Sequence, residues 1–395
     1  QILGNTFGVL RGFTIFAHDN HGIDCNFTMA TLENNVIKSG PIIDPNGPVR
    51  NNRIEGGPGI IDPGNATCII EGNTILSGGI QGQFSFPTIR DNLITGVSGR
   101  AITECHGLIE GNTITWNTGG GIATCNGTIR QNIITNNSIS SNAAGIRECD
   151  GIIERNIIAF NKIREGGHNG GGLSLCNGTI RNNLIFGNYA VDGAGLLGCD
   201  GLILNNTIVG NEAREFGGGL RGCEGTIKNN IIWINTAETD TEISTSTPPS
   251  FCCIQNWDGS GTGNISLDPQ FADADNGDFR LQPHSPCIDA GAYVESVTSD
   301  FWEDPRGLDG VADLRGDGSN YDIGADEFLG KELFHLGSDI DGTGWVDAVD
   351  LLRLRDEWKA PVSEPSEIDL NGDDRIDSTD LDILIRDWHR GTEPG

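Results

Sequence analysis

Aliphatic and polar residues recur in a fixed order around one asparagine through the first 240 positions of the chain. Two residues after this reference asparagine every copy carries Ile, and three residues before it every copy carries Leu, Val or Ile. Aliphatic residues at a fixed phase are typical of inward-facing strand positions. The eleven copies end, at intervals of 17 to 27 residues, at Ile15, Ile37, Ile54, Ile75, Ile94, Ile114, Ile134, Ile158, Ile185, Ile208 and Ile232. This period is that of one solenoid coil, so the sequence predicts an all-β parallel β-helix of about eleven coils.

The reference asparagine is itself predicted to be structural. An amide at a turn can hydrogen-bond to its equivalents in the coils above and below, which gives an asparagine ladder. We expect one ladder to consist of Asn35, Asn52, Asn73, Asn92, Asn112, Asn132, Asn156, Asn183, Asn206 and Asn230, with Phe13 at this position in the first copy. A second ladder, five residues later, is expected to consist of Asn117, Asn137, Asn161, Asn188, Asn211 and Asn235.

Cysteines occupy a further fixed position, seven residues before the reference asparagine, where they are Cys105, Cys125, Cys149, Cys176, Cys199 and Cys223. Cysteine packs as a small apolar residue, so this column predicts a stack of buried thiols. A linear column does not supply the convergent ligands of a metal site. Cys252, Cys253 and Cys287 lie outside the column, and the sequence allows one disulfide among these three.

Charged residues two positions before the reference asparagine alternate in sign. They are Arg11, Glu33, Arg50, Glu71, Arg90, Glu110, Arg130, Glu154 and Arg181. Neighbouring coils lie about 4.8 Å apart, so opposite charges should face each other along one stripe. Exposed pairs stabilise little, and we expect the stripe chiefly to fix the register of the coils.

Residues 1–240, with these columns, resemble the right-handed parallel β-helix superfamily that includes pectate lyases and many bacterial surface proteins. Residues 241–332 break the repeat. Their phrases DPQFADADNGDFRLQPHSPCIDAGA and DIGADEF resemble a segment that closes many secreted β-helix proteins of planctomycete-like bacteria. We expect them to form irregular final coils and a cap. Asp309, Asp313, Asp317 and Asp322 lie in a glycine-rich stretch of this segment, where a calcium site and solvated acidic loops both remain open.

Composition narrows the possible partners. The chain carries 55 acidic against 25 basic residues, a formal net charge of −30, which argues against nucleic acid and anionic membranes as partners. No run of about 18 apolar residues is present, so no membrane span is predicted.

The chain begins within a repeat, and we expect an upstream segment to have been removed or to be missing. Localisation is predicted to be secreted, extracellular or at the cell surface.

Two acidic loops near the C-terminus are the clearest metal-binding motifs. Residues 339–350 read DIDGTGWVDAVD and residues 369–380 read DLNGDDRIDSTD. Both place oxygen donors at loop positions 1, 3, 5, 9 and 12 and a backbone carbonyl at position 7, a spacing that wraps one chain around Ca²⁺. The predicted ligands of two calcium ions are Asp339, Asp341, Thr343, Trp345, Asp347 and Asp350, and Asp369, Asn371, Asp373, Arg375, Asp377 and Asp380.

The duplicated loops, each followed by an amphipathic stretch, resemble type I dockerins over residues 338–390. The resemblance implies that residues 333–395 form a small α-helical calcium-binding domain, which docks to a cohesin-like or other scaffold protein. Type I dockerins often carry Ser-Thr at the cohesin contact. Ser378 and Thr379 match this pattern, whereas Ala348 and Val349 depart from it, which leaves the partner in doubt.

The role of the β-helix remains open between two classes. In the first, it is a structural or carbohydrate-binding part of a scaffold-associated extracellular protein, with end-to-end self-assembly possible. In the second, it is a polysaccharide lyase or glycoside hydrolase. The candidate catalytic residues lie on three successive turn loops and are Lys162, Arg164, Glu165 and His168, then Tyr189 and Asp192, then Arg214 and Glu215. A hydrated loop face is the alternative interpretation of the same residues.

Overall fold

The computed structural model describes residues 2–3, 8–16, 22–25, 29–64, 68–141, 143–164, 170–311 and 315–329. These residues form a parallel β-helix, in which each coil contributes one short strand to each of three parallel sheets. This confirms the predicted fold class, and the β-helix sheets continue past residue 240 in the strands Ile243–Ser244 and Cys253–Ile254. The described part of the chain holds no helix with the length and apolar character that a bilayer crossing requires.

Three parallel sheets, here called sheets 1, 2 and 3, run along the whole β-helix. Sheet 1 consists of Ile2–Leu3, Ile23–Asp24, Ile42–Ile43, Ile60–Ile61, Ile80–Ser85, Ile102–Cys105, Ile122–Ala123, Ile146–Arg147, Leu173–Ser174, Leu196–Leu197, Leu220–Arg221 and Ile243–Ser244. Sheet 2 consists of Val9–Arg11, Thr31–Glu33, Val49–Arg50, Ile69–Glu71, Thr88–Arg90, Leu108–Glu110, Thr128–Arg130, Ile152–Glu154, Thr179–Arg181, Leu202–Leu204 and Thr226–Lys228. Sheet 3 consists of Thr14–Ile15, Val36–Ile37, Arg53–Ile54, Thr74–Ile75, Leu93–Thr95, Thr113–Thr115, Ile133–Thr135, Ile157–Ala159, Leu184–Phe186, Thr207–Val209, Ile231–Trp233 and Cys253–Ile254.

Two smaller sheets complete the described structure. Sheet 4 is parallel and consists of Ser138–Ile139, Lys162–Ile163, Tyr189–Asp192 and Glu212–Phe216. An antiparallel pair is formed by Phe271–Asp273 and Asp278–Leu281, which the short 3-10 helix Ala274–Asn276 connects. Sheet 4 matters for function, because it adds a fourth face to only part of the β-helix.

The predicted aliphatic columns form the core. The Ile side chains two residues after the reference asparagine are buried from Ile37 to Ile232, and those three residues before it are buried from Leu32 to Ile227. Each coil stacks on the next in register, as in the pairing of Ile114 with Ile134. Fully burying one such side chain contributes about 1.5–3 kcal/mol before entropy is counted, so the core grows with every coil.

Both predicted ladders are present as continuous chains of hydrogen bonds. In the first ladder the Asn132 amide donates to Asn156 Oδ1 at 3.0 Å, and the Asn156 amide donates to Asn183 Oδ1 at 3.0 Å. In the second the Asn161 amide donates to Asn188 Oδ1 at 3.0 Å. The ladder asparagines are buried, so these bonds satisfy polar groups that have no access to water.

The charge stripe also pairs as predicted. Glu71 contacts both Arg50, at 3.3 Å, and Arg90, at 3.1 Å. The arrangement repeats along sheet 2 in the pairs Arg11–Glu33, Arg130–Glu110 and Arg181–Glu154.

All eleven cysteines are buried free thiols. The predicted column from Cys105 to Cys223 is therefore confirmed as a stack of buried thiols. The disulfide that the sequence allowed among the last three cysteines is not formed. Cys252 instead accepts the backbone N–H of Asn230 at 3.3 Å, while Cys253 and Cys287 lie in a second apolar cluster. Burial raises the pKa of Cys252 to about 12, which keeps it a thiol.

The described residues after the regular coils fall into two parts, which lie at different places on the β-helix. Residues 252–265 close the end of the β-helix, where Trp257 packs against the core. The described residues of 268–329, here called the flank segment, lie instead along the side of the β-helix. They form hydrogen bonds with five successive coils, in each case with the turn residue that immediately precedes the reference asparagine. These five turn residues are Gln131, Arg155, Asn182, Asn205 and Asn229. Phe279 and Ala325 cover Leu184 and Val209 of sheet 3, so the outer face of this sheet is closed over its last coils.

Candidate functional site

Sheet 4 brings together six of the eight candidate catalytic residues. Lys162, Tyr189 and Asp192 lie on its strands, and Arg164 follows directly after one of them. Arg214 and Glu215 lie on the strand Glu212–Phe216. Glu165 and His168 lie outside the described residues. The sequence predicted turn loops for these residues. In the structure, four of the coils instead contain an extra strand, which follows the asparagine of the second ladder and precedes the next strand of sheet 1.

The charged side chains of sheet 4 contact one another or nearby polar groups. The Lys162 ammonium lies 4.9 Å from the centre of the Tyr189 ring. Arg164 donates to Ser138 Oγ at 3.0 Å and to the Thr118 carbonyl at 2.8 Å. Arg214 and Glu215 form an ion pair at 2.8 Å, and this hydrogen bond raises the pKa of Arg214.

The buried carboxylate of Asp192 is also paired. It forms an ion pair with Arg221 of sheet 1, whose guanidinium lies 4.7 Å from the centre of the Phe216 ring. A general base needs a carboxylate or amine that is free to take a proton from the substrate. The side chains of Lys162, Arg164, Asp192, Arg214 and Glu215 are each held in an ion pair, a cation–π contact or hydrogen bonds, whereas Glu212 is an exposed carboxylate on the same sheet.

A second feature lies at the edge between sheets 3 and 4 and was not predicted. The side chain of Trp116 is 66% exposed and that of Phe160 is 53% exposed. Each stands immediately before an asparagine of the second ladder, with φ of 57° and 56°. The same turn position is glycine at Gly96, Gly187 and Gly210. The signal was present in the sequence as a large aromatic residue at a position where other coils carry glycine.

The outer face of sheet 3 adjoins these two aromatic residues. In the strands Leu93–Thr95, Thr113–Thr115 and Ile133–Thr135 the central Ile points into the core, so the first and third residues point outward. These outward residues are Leu, Ile or Thr, and Leu93 and Ile133 are exposed. The hydroxyls of Thr115 and Thr135 lie 3.2 Å apart in one column. This surface is flat, uncharged and not covered by the flank segment.

The acidic residues of the flank segment do not converge on one point. Asp322 accepts the backbone N–H groups of Asp289 and Phe328, and Asp317 accepts those of Tyr293 and Ser319. Burial raises the pKa of Asp322 well above its usual range. Asp313 lies outside the described residues. Within the described ranges no group of three or more His, Cys, Asp or Glu side chains is placed to hold a metal ion.

The predicted ligands of the two calcium ions, Asp339 to Asp350 and Asp369 to Asp380, lie outside the described residues. Comparison with protein families bears on this part of the chain. The family model for the dockerin type I domain matches residues 337–387, which include both loops. The family model named periplasmic copper-binding protein (NosD), a parallel β-helix family, matches residues 19–194. No curated protein matches the chain. The chain thus joins a β-helix similar to that of the NosD family to a dockerin type I domain, a combination that fits an extracellular or cell-surface protein.

Proposed function

We propose that this chain is an extracellular, calcium-binding, scaffold-associated protein, in which residues 333–395 attach the β-helix to a cohesin-like partner. The β-helix then has a structural or carbohydrate-binding role at that location. The observation that carries the proposal is the dockerin type I match over residues 337–387, because dockerin domains bind cohesin partners.

Calcium fits the donors of the two loops. Asp, Asn and Thr side chains with one backbone carbonyl supply hard oxygen ligands, which Ca²⁺ prefers. The bound ions neutralise carboxylates that would otherwise repel one another, so calcium binding and folding of this domain should be coupled. Two ions are expected, one in each loop.

Copper, which the NosD family name mentions, does not fit the described residues. Copper(I) prefers thiolate and thioether ligands. The buried thiols stand in a linear column, and burial raises the pKa of Cys68 to about 12 and that of Cys149 well above its usual value. The donors would therefore have to lose protons inside an apolar core.

A binding role is favoured over catalysis by the contacts on sheet 4. The polysaccharide lyase or glycoside hydrolase remains the second candidate, because Lys162, Tyr189 and Asp192 lie on neighbouring strands of sheet 4 and Arg164 directly follows one of them. A turnover screen on acidic and neutral polysaccharides tests it, with release of reducing ends and formation of unsaturated uronates as readouts. Turnover that the Arg164→Ala variant loses would establish the enzyme and overturn the binding role.

Calcium-dependent capture on a panel of immobilised cohesin modules tests the attachment. We expect the full chain to bind in calcium and to be released by a chelator. Replacing both position-1 ligands, in Asp339→Ala with Asp369→Ala, should weaken calcium binding by at least about tenfold and abolish capture. Glu238→Ala removes an exposed carboxylate from the β-helix and serves as the matched control. Capture that persists without calcium would contradict the proposal, and so would failure to bind any module of the panel.

A further inference from the structure

Trp116 occupies a turn position that has positive φ in seven successive coils, from Gly96 to Ile234, so the fold sets its backbone conformation and the sequence chooses its side chain. A bulky residue with positive φ is a strained outlier, and three other coils place glycine at this turn position. The exposed Trp116 ring gains little from packing in return. Phe160 differs, because its ring packs edge-on against Phe186 with 5.2 Å between ring centres. What distinguishes Trp116 is therefore its large aromatic ring, which the turn presents to solvent and which is the kind of side chain that anchors a bound ligand.

We propose that Trp116, Phe160 and the adjoining outer face of sheet 3 bind an extended, uncharged polysaccharide chain. The inference rests on the carbohydrate-binding role proposed above and assigns it to one surface. We call this surface the open face; it consists of Trp116 and Phe160 together with Leu93, Thr95, Thr113, Thr115, Ile133 and Thr135.

The geometry of the open face suits a linear polymer. Trp116 and Phe160 occupy the same turn position two coils apart, which places their backbones about 10 Å apart along the β-helix. That separation is comparable to two successive sugars in an extended β-linked chain. Sugar rings present C–H faces that can pack on aromatic rings, as other C–H groups do on π systems. The threonine column Thr95, Thr115 and Thr135 supplies hydroxyls that can hydrogen-bond to the edge of the same chain.

The charge distribution favours an uncharged ligand. The chain has a net charge of −30, whereas the outward strand positions of the open face carry Leu, Ile and Thr. A polyanion would meet the repulsive field of the whole molecule and find no cation among these six positions. Charged residues border the open face without entering its strand positions: Asp91 and Arg155 lie in the turns before sheet 3, and Lys162 and Arg164 lie beyond Phe160.

The open face continues an interface that the protein already forms. Over the next coils the outer side of sheet 3 is covered by the flank segment, whose Phe279 contacts Phe186 with 5.0 Å between ring centres. Phe186 in turn contacts Phe160, so one row of aromatic contacts runs from the covered part of the sheet to the uncovered part. The outer face of sheet 3 is thus covered by the flank segment in its last coils. In the preceding coils the same face can bind another extended chain, which is the proposed polysaccharide.

Binding of the full chain in calcium to a soluble neutral β-glucan, and separately to polygalacturonate, tests the proposal by affinity electrophoresis and calorimetry. We expect Trp116→Gly to weaken binding to the β-glucan at least about tenfold, as for a central aromatic anchor. Its Tm should not fall, because glycine relieves the strain at this φ. Trp116→Tyr retains a ring and should retain most of the affinity. Phe84→Gly is the matched control, since Phe84 is 65% exposed with φ of 63° but lies in the sheet 1 strand Ile80–Ser85, away from the open face.

The outcomes separate the failure of this inference from that of the proposed function. If the Trp116→Gly variant binds the β-glucan as tightly as the wild type does, the carbohydrate site lies elsewhere. That result overturns the inference, while the carbohydrate-binding role stands. Tighter binding of polygalacturonate than of the β-glucan overturns the uncharged ligand class. A wild type that binds neither polymer overturns both the inference and the carbohydrate-binding role. A dimer that Trp116→Gly disrupts, without polysaccharide binding, would make a second copy of the chain the occupant and overturn the inference.

Discussion

Glu242 shows how a single residue can end a repeating element. It follows the second ladder, and its two carboxyl oxygens accept the backbone N–H and the side-chain amide of Asn235, the latter at 2.6 Å. Cys252 ends the first ladder in the same way, through its sulfur. In both cases the last asparagine of a ladder needs an acceptor that no further asparagine supplies, because a buried amide without a partner is destabilising.

The burial of Glu242 predicts a pH-dependent stability. Burial raises its pKa to about 8, against the hydrogen bonds from Asn235, which lower it. Its pKa in the unfolded chain is lower, so the folded state holds the proton more tightly. This contribution to stability is fully present below the unfolded pKa and is lost as the pH rises through about 8. We expect the free energy of unfolding of the wild type to fall as the pH rises from below the unfolded pKa to above about 8. The fall should be larger than that of the Glu242→Gln variant by on the order of 3 kcal/mol. Denaturant titrations at several pH values measure the difference, and parallel pH profiles for the two proteins would refute it.

At the scale of the element, the molecule contains a third ladder, on its surface, that was not predicted. In the cysteine column from Cys105 to Cys199, the residue after the cysteine accepts the backbone N–H of its equivalent in the next coil, as Asn126 does from Asp150 at 2.9 Å and Asp150 does from Asn177 at 2.8 Å. The series continues through Asp200 to Glu224. The three ladders use similar bonds, but the first two are buried and the third is exposed, so they should differ in their contribution to stability.

Asn156→Ala and Asn126→Ala compare a buried with an exposed ladder position. Asn156 is fully buried, and its amide donates to Asn183 Oδ1 and to the carbonyls of Ile129 and Glu154. Its loss leaves several polar groups without partners, and we expect a cost of about 3 kcal/mol. Asn126 is exposed, so water can replace its bond, and its loss should change stability by less than about 0.5 kcal/mol. Equal losses in chemical denaturation would show that burial does not govern the ladders.

The repeat allowed the parallel β-helix, both buried ladders and the charge stripe to be predicted, because each of these elements depends on residues at a fixed phase. Sheet 4 was missed for the same reason. Its strands share only one apolar residue, two positions after the ladder asparagine, and differ in length; that residue is Ile139, Ile163, Ala190 or Ala213. Their pairing follows from the stacking of the coils beneath them. The exposed position of Trp116 likewise follows from the turn that the ladder asparagine fixes, and not from any local pattern around the residue.

At the scale of the whole molecule, the flank segment connects distant parts of the chain. It binds turns in five successive coils, through residues for which the repeat predicted no role. The pairs Asn182–Asn183, Asn205–Asn206 and Asn229–Asn230 contain the signal, since the first member of each pair binds the flank segment and the second continues the ladder. A solenoid contacts only its neighbouring coils, so a segment that spans several coils adds long-range contacts that the repeat lacks.

Arg306 should determine whether the flank segment stays attached. Its side chain is fully buried and contacts Glu327 at 3.2 Å, and it donates to the Asn182 side chain of the β-helix at 3.0 Å. Burial raises the pKa of Glu327, and the nearby Arg306 opposes that shift. Arg306→Met removes the buried cation and leaves its acidic partner unpaired, which should cost about 3–5 kcal/mol.

We expect hydrogen exchange in this variant to accelerate in residues 268–329 while the β-helix strands remain protected. The exposed pair of Arg214 with Glu215 supplies the control, and Arg214→Met should leave exchange in the flank segment unchanged. Glu327→Gln added to Arg306→Met should restore part of the protection, because it removes the unpaired charge. Faster exchange throughout sheets 1 to 3 would instead show that the flank segment and the β-helix unfold as one unit.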